Sequence, residues 1–225
     1  MNKVLLALDM DDTLCDTQNE VVLRLRRYLY EHAMWDDLME VYRRSAINET
    51  LRTESTMLYP DHLRQIVKEE IIAPGEYVKT VKPTPLVEGR YLARLIHNLK
   101  RQLGHPNFQV VIATHRNDEK NVRENTFEWL FENKMELFID EMHFIHGSNK
   151  IDFLKEQYPE HQICLLDDNP FGNLHITHPF NESVMIYDRL AVYDAYQHQN
   201  KFVSTGQLET HLLNLSSKEL ENEFR

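Results

Sequence analysis

The sequence predicts an α/β protein with a mainly parallel sheet and a helical insertion near its N-terminus. Three observations predict it. Short, nearly continuous apolar runs recur along the chain, as in strands buried on both faces. Stretches with helical spacing alternate with them, the pattern of a parallel sheet. Residues 16–82 interrupt this alternation with helical pattern alone.

Taken in order, "KVLLALD" (3–9) is the first buried strand. "NEVVLRLRRYLYEHAMW" (19–35) puts Val22, Leu25, Leu29 and Ala33 near helical spacing. "DDLMEVYRRSAI" (36–47) and "PDHLRQIVKEEII" (60–72) read as further helices, the second opened by Pro60 and Asp61. "PTPLVEGRYLARLIHNLKRQLG" (83–104) reads as one helix with Thr84 as N-cap, Pro85 at its first position and Gly104 as its stop. "FQVVIAT" (108–114) is a second buried strand, and "DEKNVRENTFEWLFENK" (118–134) an amphipathic helix. Then come a strand "MHFIH" (142–146), a helix "NKIDFLKEQY" (149–158), and strands "QICLLDD" (162–168) and "SVMIYD" (183–188). From about 207 the tail is helical, with Leu208, Leu212, Leu215 and Leu220 on a rough stripe.

Composition narrows the function classes. No apolar run approaches the roughly 18–20 residues of a membrane span, and one Lys before a short apolar run is not a signal peptide. Two cysteines, Cys15 and Cys164, imply no disulfide framework, so a cytoplasmic, reducing setting is expected. The formal net charge of −11 argues against broad nucleic-acid binding but not against a small phosphorylated ligand. Arg24, Arg26 and Arg27 read as a solvated helix face.

The chemistry lies at the ends of the strands. In parallel sheets, ligands bind beyond the carboxyl ends of the strands. Asp9 and Asp11 follow the first strand, Thr114 ends the second, Lys150 lies beyond the third, and Asp167 and Asp168 end the fourth. Carboxylates so close together repel unless a cation sits among them. A hard divalent ion with oxygen ligands suits them, and Mg2+ suits best. His143 and His146 would point to opposite faces of a strand and offer no zinc site. Thr114 opens the turn "ATHRND", where a hydroxyl and backbone N–H groups can hold a phosphate, and Lys150 adds a mobile charge. Metal, hydroxyl, amide and ammonium together form a cradle for phosphoryl transfer. A carboxylate can attack phosphorus, and a second acid can exchange the proton.

These four elements resemble the ordered motifs of the haloacid dehalogenase-like hydrolase superfamily. "LLALDMDDT" matches a strand followed by Asp-x-Asp-x-Thr, "VVIAT" a strand ending in Thr, "GSNK" a Lys at a helix start, and "ICLLDD" a strand ending in paired acids. The order is right, with spacings of 105, 36 and 17 residues. The resemblance implies a Rossmann-like three-layer sandwich with a small helical cap: core 1–15 and 83–225, cap 16–82. It implies Asp9 as nucleophile and metal ligand, and Asp11 as general acid/base with its backbone carbonyl on Mg2+. Thr114, His115 and Lys150 become phosphate binders, Asp167 a metal ligand and Asp168 its helper. Asp12 stands where the family often has Gly. Asp12 and Asp16 are read as turn and N-cap residues, Thr13 as structural, and Cys15 as a packing residue.

The cap and the "LLDDNP" segment look similar to the 5'-nucleotidase branch, especially the 5'(3')-deoxyribonucleotidases. That implies a mononucleotide substrate, with cap aromatics stacking on the base. Tyr28, Tyr30, Trp35, Tyr42 and Tyr59 are available, with Tyr28 and Trp35 the leading candidates and Arg116 a candidate contact to the leaving group. The alternatives are a sugar-phosphate or other small-metabolite phosphatase, and a non-catalytic phosphate-binding protein on the same fold. Neither a membrane nor a nucleic-acid partner is expected, and the oligomeric state stays open.

Overall fold

A computed structural model describes residues 2–51, 59–116, 120–147, 149–171, 178–188 and 197–217; of 45–51 only the backbone is described. The strands are β1 (Lys3–Leu8), β2 (Phe108–Thr114), β3 (Glu141–Phe144), β4 (His161–Asp167), β5 (Val184–Ile186) and β6 (Asn200–Lys201). They form one sheet in the order β3-β2-β1-β4-β5-β6, and every pairing is parallel. β6 is too short for a periodic signal and is invisible in the sequence pattern.

Alternation along β1 divides the core. Val4, Leu6 and Leu8 face one layer, and Leu5 and Ala7 the other. The first layer is covered by α5 (Tyr91–Leu103), α6 (Lys120–Glu132) and α8 (Thr205–Ser217) through residues such as Leu92, Ile96, Trp129, Leu208 and Leu212. The second is covered by α7 (Lys150–Gln157) through Ile151 and Leu154. Each such aliphatic side chain contributes about 1.5–3 kcal/mol on burial. Leu220 of the expected tail stripe lies outside the described residues.

The expected helix 83–104 is two helices. α4 (Pro85–Glu88) ends at Gly89, a weak helix former. Arg90 then takes a left-handed conformation at φ 56° before α5 begins. Thr84 sits at the N-cap position, but its hydroxyl donates to the Thr13 carbonyl at 2.7 Å instead of accepting from α4. Gly104 closes α5 at φ 75°, as its sequence position suggests.

Between β1 and β2 lie α1 (Thr17–Glu31), α2 (Trp35–Leu51), α3 (Asp61–Ile66), a π-helical continuation (Val67–Ile72) and a 3-10 turn (Glu76–Lys79). They share a core of their own that includes Val21, Leu25, Leu29, Val41, Leu63 and Ile71. Chain entry and exit are paired: the Asp16 N–H donates to the Lys82 carbonyl, and the Thr84 N–H to the Leu14 carbonyl, both at 2.8 Å. Arg24 is not merely a solvated cation, since it bonds Glu20, the Thr80 hydroxyl and the Glu76 carbonyl and ties α1 to the 3-10 turn. Among the described residues no helix is long and apolar enough to cross a membrane.

The insertion also touches α6. Trp129 Nε1 donates to the Val81 carbonyl at 2.8 Å. Gly75, at φ 71°, lies so near that an added Cβ would sit 2.6 Å from Val122 Cγ2. Only glycine serves both the backbone and the space. Gly75→Ala is therefore expected to lower stability by about 1–3 kcal/mol, read as a lower denaturation midpoint. Adding Val122→Ala should recover the steric part alone; an unchanged midpoint in the single variant would contradict the close approach.

Candidate active site

The sheet order places a switch point between β1 and β4, because β1 is followed in sequence by its neighbour on one side and paired later with β4 on the other. At such a point the connections leave a crevice beyond the strand ends. β1 and β4 run in register with Leu8 beside Leu166. Their next residues, Asp9 and Asp167, therefore emerge side by side, both buried.

Lys150 fills the space between them. It is the first residue of α7, whose N-cap Asn149 accepts the Ile151 N–H at 2.8 Å. The Lys150 ammonium donates to Asp9 Oδ1 at 2.6 Å and to Asp167 Oδ2 at 2.7 Å. Burial works against its charge, but the attraction of Asp167 and Asp9 prevails and raises its pKa. Burial also pushes the Asp9 carboxyl up, to about 7; Lys150 pulls it down, while Asp167 and Asp11 push it further up.

A second ion pair stands beside the first. Arg116 Nε donates to Asp11 Oδ2 at 2.9 Å, and Nη2 to Asp11 Oδ1 at 2.7 Å. Arg116 is buried, and its Nη1 donates to the Thr126 hydroxyl at 3.1 Å. The Thr17 hydroxyl, at the start of α1, also donates to Asp11 Oδ1, at 2.6 Å. Burial disfavours the Asp11 charge, but the Arg116 guanidinium outweighs it and holds the carboxyl below its ordinary value.

The turn after β1 is held by its other polar residues. Asp12 adopts φ 57°, a conformation that Gly takes freely and Asp tolerates. Its Oδ1 accepts the Gln18 N–H at 2.9 Å, so Asp12 satisfies the start of α1. Asp16 occupies the N-cap position but makes no side-chain cap bond. The Thr13 hydroxyl accepts the Asp168 N–H at 3.0 Å and joins the β1 and β4 ends. Cys15 is fully buried, and burial pushes its thiol up, which keeps it protonated.

A cavity of about 340 Å³ opens over these groups. Asp9, Asp11, Thr114, His115, Arg116, Lys150, Asp167 and Asp168 all line it. Thr114 Oγ1 accepts the Arg116 N–H at 3.3 Å. Asp9, Asp167 and Asp168 offer oxygens within 4.8 Å of one another; the Asp11 carboxylate is not in that group. Asn117 and Asp118, expected to cap α6, lie outside the described residues. A larger hollow of about 570 Å³ lies between α5 and the turn after α6, lined by Arg94, His97 and Met135, and none of these carboxylates reaches it.

Tyr28 and Trp35 do not line the cavity. Tyr28 stacks on His32, and Trp35, 54% exposed, meets Tyr30 edge-on. Tyr59 packs inside the insertion. The insertion instead contributes Ile72, Ala73, Gly75 and Tyr77, with Val122 of α6 beside them. Tyr77 follows the left-handed Gly75, and that glycine is the signal in the sequence that marks a close approach. Arg116 has its guanidinium on Asp11 and 5.7 Å from the Tyr77 ring, where sequence reasoning expected a substrate contact.

No protein-family model matches the sequence, and comparison with curated proteins finds no match. Solved structures do match. A predicted phosphatase from Clostridium acetobutylicum aligns with TM-score 0.53 and 13% identity, over 96% of this chain and 100% of that one. A haloacid dehalogenase-like family hydrolase from Streptococcus pneumoniae aligns with TM-score 0.51 and 10% identity, over 93% of this chain and 98% of that one. At these identities the likeness is one of fold, shared with both of these proteins.

Proposed function

We propose that this chain is a metal-dependent phosphomonoester hydrolase that works through an aspartyl phosphate. The observation that carries the reading is the buried trio Asp9, Lys150 and Asp167 at the β1/β4 crevice. Two carboxylates and an ammonium buried at one point have little structural purpose, because buried charges seldom stabilise a fold.

The donor set fits Mg2+. Asp9, Asp167 and Asp168 offer oxygen alone, without His or Cys, and one lysine does not balance three carboxylates. Asp9, Asp167 and the Asp11 backbone carbonyl would hold the ion, with Asp168 assisting. When bound, it supplies positive charge that offsets the carboxylates and the phosphoryl oxygens.

The residues then divide the reaction. Thr114 and Lys150 bind the phosphoryl oxygens, with His115 at the exposed rim of the cavity. An Asp9 oxygen forms a bond to phosphorus as the bond to the leaving oxygen breaks. Asp11, carrying the proton that the second half returns to it, gives that proton to the leaving oxygen. Water then attacks phosphorus, Asp11 takes its proton, and the bond to Asp9 breaks. Arg116 favours the ionised Asp11, the form this second half needs. The insertion acts as a cap that limits water and selects substrate.

For the substrate we propose a nucleoside or deoxynucleoside monophosphate. Ile72, Ala73, Val122 and the ring of Tyr77 give the cavity an apolar wall, which suits a base better than a bare polyol. A panel of 5'- and 3'-mononucleotides and sugar phosphates decides this. Higher kcat/KM for the sugar phosphates would replace the substrate class, and no turnover of any member would favour the non-catalytic alternative.

Two further outcomes test the chemistry. Asp9→Asn should lower turnover of an aryl phosphate by roughly four orders of magnitude or more, and undiminished activity would remove Asp9 as nucleophile. A chelator should stop turnover and Mg2+ restore it. Because the Asp9 carboxyl is raised to about 7, protons compete with the ion below that pH and are released as it binds. Calorimetric Mg2+ affinity should thus be tighter at pH 8 than at pH 6; equal affinities would contradict the raised Asp9 carboxyl.

A further inference from the structure

Among the described residues Lys150 and Arg116 are the lysine and arginine that line the cavity, and Arg116 is the one that the reaction scheme keeps off the phosphoryl group. It is 4% exposed, and its charge sits among Asp11, Thr126 and Tyr77. A buried ion pair is weak evidence for stability, since apolar side chains of similar volume often serve a fold as well. What an arginine offers and an apolar residue cannot is a planar fork that fixes the plane of a carboxylate.

Each of the three nitrogens of that fork donates a hydrogen bond. Nε and Nη2 hold the two oxygens of Asp11, and Nη1 is anchored on Thr126. Thr126 is itself fixed, because its hydroxyl donates to the Val122 carbonyl at 2.7 Å. Asp11 Oδ1 accepts from both Thr17 and Arg116, which uses both of its lone pairs. Oδ2 accepts from Arg116 Nε and keeps one acceptor position open.

We infer that Arg116 is a positioning residue: it fixes the Asp11 carboxyl so that proton exchange with the leaving group and with water runs through Oδ2. This rests on the proposed role of Asp11 as acid and base. Thr126 belongs to the same device, one step further from the cavity.

The test uses the full chain with Mg2+ and two substrates that differ in leaving group, 4-nitrophenyl phosphate and phenyl phosphate. The poorer leaving group, phenol, depends more on a well-placed proton. Arg116→Met should lower kcat roughly tenfold on the nitrophenyl ester and roughly a hundredfold on the phenyl ester, with KM little changed. Arg116→Lys, which keeps the charge and loses the fork, should fall between wild type and Arg116→Met on both. Thr126→Val should give a smaller loss, again greater for phenyl phosphate, and it decides the matter if Arg116→Met does not fold. Equal losses of kcat/KM, which reports the leaving-group half alone, would show a structural role and overturn the inference. A raised KM with unchanged kcat would make Arg116 a substrate contact and overturn it too. Wild-type protein inactive on both esters would overturn the proposed function and the inference together, whereas an active wild type with equal losses removes the inference alone.

Discussion

Adjacent parallel strands in register deliver equivalent residues to the same place. That constraint governs this site, because β1 leads straight into Asp9 and β4 ends in Asp167, and the two cannot be parted without shifting the ladder. The carboxylates have to be reconciled by something brought from outside the pair. The crossover after β3 brings it: α7 packs Ile151 and Leu154 under the sheet, and its first residue, Lys150, reaches both acids. Apolar packing on one side of the sheet therefore sets the charge balance at its edge.

The second ion pair solves a different problem in a different way. Lys150 is a compact point charge shared by two carboxylates on separate strands, whereas Arg116 is a rigid fork given to one. The first arrangement leaves each carboxylate with oxygens that the shared ammonium does not occupy. The second suits a group whose orientation matters more than its partners. Placing both pairs at adjoining strand ends keeps the two carboxylates of one short turn, Asp9 and Asp11, in distinct electrostatic settings.

Much of this layout is legible in sequence because strand ends are. The apolar runs over 3–9, 108–114 and 162–168 stop at polar residues, and the parallel-sheet rule alone says those residues face one crevice. The break at Gly89 and Arg90 was not legible, since the apolar spacing of 83–104 carries on through it. Nor was the partner of Arg116: Asp11 is 105 residues away, and only the approach of β2 to β1 joins them. Which aromatic lines the cavity was not legible for a similar reason. Helical aromatics such as Tyr28 and Trp35 are conspicuous in the sequence, but the cavity receives Tyr77 from a short turn whose position depends on Gly75 meeting Val122.

The pairing of Leu14–Asp16 with Lys82–Thr84 has a wider consequence. The helices between these segments have their own core, and the chain enters and leaves them at neighbouring points. To the sheet, the insertion is a loop whose ends are already closed. The entropy of such a loop grows only with the logarithm of its length, by about 0.6 kcal/mol for each doubling. Strand register and the carboxylate crevice are thus insulated from the size of what is threaded there. The chain is modular at this point: the helices between the paired segments can be enlarged without lengthening the path that the sheet has to close.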